Sequence, residues 1–187
     1  AGCDCVKFQS WSAESLYSKT HFDENPIAKR MLKKFSLSEA ELADVLAFCK
    51  KCGIAFSSTP YSRAEVDFLL EKCHVPYIKV ASMDLNNYPF LDYIARSGAS
   101  IVLSTGMGEL EEIVKAMDTI EKAGNINVCL LHCISIYPPE TSTIHLRNIL
   151  GLREKFPDYP GTNMAYMRFL AILDFRFSPE YIFGSLE

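Results

Sequence analysis

Residues 75–84 read VPYIKVASMD, and one lysine in them decides how the chain is read. Tyr77, Ile78 and Val80 have the aromatic and β-branched character of a buried strand, yet Lys79 stands among them. Taking an ammonium out of water costs several kcal/mol unless something negative meets it. The segment CVKFQS, residues 5–10, repeats the arrangement, with Lys7 between Val6 and Phe8. Two strands therefore carry a lysine where burial works against it.

Working outward, three further runs match these two: GIAFSSTP (53–60), SIVLSTG (100–106) and NVCLLHCISIYP (127–138). Strands are expected near residues 4–9, 54–58, 77–81, 100–104 and 128–133. Between them lie helical patterns. Residues 38–51 begin with Ser38 as N-cap and Glu41 as its capping-box partner, and residues 62–73 begin with Ser62 and Glu65 in the same roles. Residues 88–98 and 108–124 each end at a glycine. A last helix is expected within 142–156. Ser57 to Lys79 is 22 residues, Lys79 to Ser104 is 25 and Ser104 to His132 is 28. A strand, a helix and two short loops need about that length. The strands are nearly continuous in apolar character, as parallel strands covered on both faces are. The fold class is thus α/β, either a parallel (β/α)8 barrel of the TIM type or a doubly wound sheet. No GxGxxG follows the first strand, which counts against dinucleotide binding. Residues 10–35 read as a polar, irregular excursion, a loop over the active face of a barrel.

The 187 residues suffice for one domain with a real core, and about half (49%) are hydrophobic. The formal charge is −4, and without a dense basic run this argues against nucleic acid as the main partner. No apolar run approaches the roughly 18 residues that span a membrane. The opening AGCDCVKF has no signal-like features and reads as the middle of a protein. Seven cysteines, an odd number in apolar segments, suit reduced thiols in a cytoplasmic protein. CKKC (49–52) has the spacing of a redox or zinc site, but neither Cys3/Cys5 nor Cys129/Cys133 supplies a ribbon-like second pair. The expectation is that Cys49 packs and Cys52 ends a helix before Gly53.

The carboxyl ends of the strands carry the polar groups. Strand one offers Lys7, Gln9 and Ser10; strand two Ser57, Ser58 and Thr59; strand three Lys79 and Ser82; strand four Ser104, Thr105 and Gly106; strand five His132, Ser135 and Tyr137. Ligands of parallel α/β proteins bind at this end. Two lysines, several hydroxyls and a Gly-containing turn entering a helix describe an anion site. Either lysine alone reads equally well as a chain that snorkels to solvent, and a buried lysine also suits a Schiff-base aldolase. His132, inside a strand, reads as a satisfied interior residue rather than a metal ligand.

The blocks AGCDCVKFQSW, GIAFSSTPYS, YIKVASMDLNNYPFL, IVLSTGMGELEEI and LLHCISIYPPE, in this order and over residues 1 to about 160, resemble the sialic acid synthase family. That family comprises N-acetylneuraminate, legionaminate and pseudaminate synthases. The resemblance implies an incomplete TIM barrel of about five βα units from an enzyme that condenses phosphoenolpyruvate with an N-acetylated amino sugar and releases phosphate. It implies that Lys7, Thr59, Lys79, Ser82 and Ser104 hold phosphoenolpyruvate, and that Gln9, Ser135 and Tyr137 face the sugar. Ser135 stands where family members commonly carry an asparagine. It further implies a divalent metal, manganese or magnesium, and a homodimer. SMDLNN (82–87) is closer to the legionaminate and neuraminate branches than to the pseudaminate one. A non-catalytic, anion-binding fragment is the alternative reading for this chain.

After REKFPDYP (153–160) the resemblance stops. The family continues with a strand like VGYSDHT, whose histidine binds metal, whereas residues 161–187 contain no histidine. The family's first strand with its catalytic glutamate has no counterpart ahead of Ala1, and neither the later strands nor the small antifreeze-like domain has one after Pro160. Residues 1–160 are therefore expected as a partial synthase barrel without the metal ligands. Residues 161–187 are expected as a divergent tail, either a natural end or, the preferred reading, a changed reading frame followed by a vector-like GSLE.

Overall fold

The computed structural model describes residues 4–136 and 139–159; the expected tail at 161–187 lies outside the described residues. Five strands, β1 (Cys5–Ser10), β2 (Ala55–Pro60), β3 (Ile78–Val80), β4 (Ile101–Ser104) and β5 (Val128–Leu131), form one sheet in the order β1-β2-β3-β4-β5, every neighbour parallel. All five expected strands are present. β5 stops at Leu131 rather than 133 because its ladder partner runs out: β4 ends at Ser104, and the last bond is Thr105 N–H to Leu131 O.

The register separates the two faces. Ser57 lies beside Lys7, Thr59 beside Gln9 and Val102 beside Lys79, while Ser58 lies beside Ile78. Because side chains alternate along a strand, Lys7, Gln9, Ser57, Thr59, Lys79 and Ser104 share one face. Phe56, Ile78, Val80, Ile101, Leu103, Val128 and Leu130 fall on the other. They form the core with Val66, Leu69, Leu91, Ile94, Ile113, Met117 and Ile120 of the covering helices.

Those helices are α4 (Glu39–Lys51), α5 (Arg63–Phe68), α6 (Tyr88–Arg96) and α7 (Leu110–Lys122). α4 opens on the expected reciprocal Ser38–Glu41 box, and Ser62 caps α5 by accepting from Glu65 N–H. Cys49 is buried, Cys52 is the C-cap of α4, and Gly53 turns the chain at φ 68°, as expected of a structural CxxC. The described cysteines are free thiols. The segment expected as one helix over 62–73 divides: α5 gives way to a π-helical turn, Leu69–Cys73, closed by His74 at φ 53°. The segment over 142–156 also divides, with His145 at φ 46° ahead of α8 (Asn148–Lys155).

Residues 10–35 depart most from expectation. They form α1 (Ala13–Leu16), α2 (Lys19–Glu24) and α3 (Pro26–Phe35) instead of an irregular loop. The reason is capping. Ser18 Oγ accepts from His21 N–H, and Asn25 Oδ1 accepts from Ile27 and Ala28 N–H, with Pro26 at the first helical position. No helix of the described residues is long and apolar enough to cross a membrane.

Candidate anion-binding site

The lysine-bearing face converges at the carboxyl ends of β1 to β4. Lys79 is 4% exposed. Its ammonium donates to Val80 O at 2.6 Å and to Ser104 Oγ on the next strand. Burial pulls its pKa down to about 8; the Cys133 sulfur acts the other way, and the like charge of Lys7 adds to the lowering. Lys7 Nζ lies 3.4 Å from both Thr59 Oγ1 and Phe8 O, and burial lowers its pKa too. Two cations thus sit within reach of each other's field, on one face and at one end of the sheet.

Ser82 opens the short 3-10 turn Ser82–Asp84 after β3, and its Oγ accepts from Gly106 N–H at 3.0 Å, which ties the β3 and β4 turns together. Gly106 allows no side chain. A Cβ there would stand 2.8 Å from Cys133 O and 2.9 Å from Ser135 Oγ, so the backbone after β5 closes directly on the β4 turn. Ser135 is therefore beside the site but solvent-exposed. Gln9 is exposed as well and donates to Tyr61 OH at 2.8 Å. Tyr137 lies outside the described residues.

The structure thus joins Lys7 with Thr59, Lys79 with Ser104, and Ser82 with the Gly106 turn. His132 is half-buried, with its Nε2 2.6 Å from Ile144 O. That fits the interior role expected of it. Sequence reasoning missed Cys133, whose thiol lies 3.3 Å from Ser104 Oγ. Alternation from Cys129 and Leu131 would have found it, because period two puts 133, not 132, on the lysine face. Asp84 was missed too: it is buried, its pKa is raised by burial, and its Oδ2 has no hydrogen-bond partner. No group of three or more His, Cys, Asp and Glu among the described residues is placed to hold a metal ion. The described donor set does not fit the metal that the resemblance implies.

A family model described as the NeuB family matches residues 1–162. The chain belongs to the NeuB family. An uncharacterized protein of Methanocaldococcus jannaschii is 38% identical over 156 residues, covering 83% of this chain and 44% of that protein. The N,N'-diacetyllegionaminic acid synthase of Campylobacter jejuni is 34% identical over 169 residues, covering 83% and 50%. Among solved structures, the N-acetylneuraminic acid synthetase of Leptospira borgpetersenii in complex with citrate superposes with a TM-score of 0.72 at 29% identity, covering 81% of this chain and 51% of that one. The chain spans about half the length of these NeuB relatives.

Proposed function

We propose that the chain is the phosphoenolpyruvate-binding section of a sialic-acid-type synthase and forms part of a TIM barrel. The observation that carries this reading is the pairing of buried Lys79 with Ser104, on the same face and at the same end of the sheet as Lys7 with Thr59. A ligand with a phosphate at one end and a carboxylate at the other offers each ammonium a counter-charge. Ser82 and Ser104 add hydroxyls, and Gln9 and Ser135 are proposed to face the amino sugar, as is Tyr137, which lies outside the described residues. In the proposed reaction, C3 of phosphoenolpyruvate bonds to the carbonyl carbon of the open-chain sugar, whose oxygen takes up a proton. Water adds at C2, and the C2–O bond breaks to release phosphate and leave a 2-keto acid. Lys7 and Lys79 hold the two anionic groups and stabilise the leaving phosphate as charges.

The reading is tested by titrating the chain with phosphoenolpyruvate and with inorganic phosphate. Binding is expected in the wild type and lost in Lys79→Ala; an affinity unmoved by Lys79→Ala refutes the site. Phosphate release with manganese, phosphoenolpyruvate and N-acetylmannosamine is expected to be absent for this chain, because its described residues assemble no metal group. Metal-dependent turnover abolished by Lys79→Ala would overturn that expectation. The lowered pKa of Lys79 favours a second reading, a Schiff-base lysine. Borohydride with a keto acid separates the two, since only an imine leaves a reduced adduct on Lys79.

A further inference from the structure

We infer that Cys133 is a positioning residue that fixes the direction of the Ser104 hydroxyl and so makes Ser104 a hydrogen-bond donor to the bound anion. This rests on the anion reading of the site. A serine hydroxyl has one proton and two lone pairs. At Ser104 Oγ one lone pair receives Lys79 Nζ, which as an ammonium can only donate. The Cys133 sulfur, 3.3 Å away, donates its proton to the second. With both lone pairs occupied, the Ser104 proton points away from Lys79 and Cys133. A nearby ammonium also polarises that O–H and makes it the stronger donor.

Cys133 is well held for this. Its carbonyl packs against Gly106 so closely that a Cβ would stand 2.8 Å away, and Gly106 N–H is in turn bonded to Ser82 Oγ. The thiol and the two serines proposed to contact the anion thus belong to one connected set, and half-buried Cys133 closes it from the β5 side. With the opposite polarity, Ser104 would give its proton to sulfur, a weak acceptor, and would have none for the ligand.

Two readouts test this. Inorganic phosphate and phosphoenolpyruvate are titrated into the wild type, Cys133→Ala and Cys133→Ser by calorimetry. Loss of one orienting donor is expected to weaken binding about three- to ten-fold in Cys133→Ala, while Cys133→Ser, which keeps a donor, stays within about twofold of the wild type. Unchanged or tighter binding in Cys133→Ala overturns the inference, as does equal weakening in a folded Cys133→Ser. The second readout needs no ligand. The infrared S–H stretch of Cys133, identified by its disappearance in Cys133→Ser, is expected to move to higher frequency in Ser104→Ala, where its acceptor is gone. A band that does not move overturns the inference, even where Cys133→Ala fails to fold. If the wild type binds neither anion, the reading of the site fails, and the S–H band still decides the direction of the hydroxyl.

Discussion

Replacing Lys79 by methionine keeps an unbranched stem and removes the charge, and its effect on stability is expected to change sign with pH. Burial moves the ammonium from its ordinary 10.5 to about 8. At about 1.4 kcal/mol per pH unit this is a penalty of about 3 kcal/mol on the folded state, and with 4% exposure little of it is screened by solvent. Below pH 8 both the folded and the unfolded chain hold the proton, and the folded chain bears the whole penalty. Between pH 8 and 10.5 the folded chain has released the proton while the unfolded chain keeps it, so stability rises with pH. Methionine removes the penalty but also the hydrogen bonds to Val80 O and Ser104 Oγ, about 1 kcal/mol each. The variant should therefore be more stable than the wild type by about 1 kcal/mol at pH 7 and less stable by about 2 kcal/mol near pH 10.5, and it should not bind phosphate. Urea unfolding at pH 7 and pH 10 measures the difference. If the two curves keep a constant separation across that range, Lys79 does not carry a buried, penalised charge and the reasoning fails.

Gly106→Ala should abolish phosphate binding and lower stability by about 2 kcal/mol, because its Cβ meets the fixed Cys133 carbonyl; calorimetry and urea unfolding read both. Asp84→Asn should be within about 1 kcal/mol of the wild type at pH 7, since the lost carboxylate oxygen has no partner. Burial raises the Asp84 pKa, so the wild type loses stability as pH rises from the ordinary carboxyl range through the raised value, and the variant's urea midpoint should lack that dependence. Ser38→Ala should cost about 1 kcal/mol by removing the α4 cap, with no change in phosphate affinity.

The sheet was legible because each strand is a short apolar run whose neighbour recurs after one helix length. Parallel order follows directly from that spacing. Residues 10–35 were misread although their caps are visible: Ser18 and Asn25-Pro26 are ordinary helix starts, but the helices they open are short and the segment reads as polar. The π-helical turn at Leu69–Cys73 leaves no signal in LLEKC that periodicity would catch. In the site, Lys79 with Ser104 and Lys7 with Thr59 were legible because each pair comes from the ends of neighbouring strands. The link from Ser82 to Gly106 was not, since a backbone N–H donor carries no side-chain identity. Cys133 was hidden by reading strand five through His132, one residue out of phase.

The two lysines explain each other. Either one, alone at a strand end, could reach solvent along its aliphatic stem. Here Lys79 is buried and Lys7 half-buried; burial disfavours the charged form of both, and the charge of Lys7 adds to the lowering at Lys79. The Val80 carbonyl and the Ser104 hydroxyl act against that lowering without cancelling it, since the Lys79 pKa still falls to about 8. A bound dianion would act against the shift: it would meet both ammonium groups, raise their pKa values and offset their mutual repulsion, though not the burial itself. Binding of such an anion above pH 8 would then draw a proton onto Lys79, and the folded state would gain stability both from the ligand and from relief of the penalty present without it. On the proposed reading, this face would be less stable empty than with an anion bound. If the proposed site holds, the arrangement that makes Lys79 unfavourable for folding is the one that would make it effective for binding.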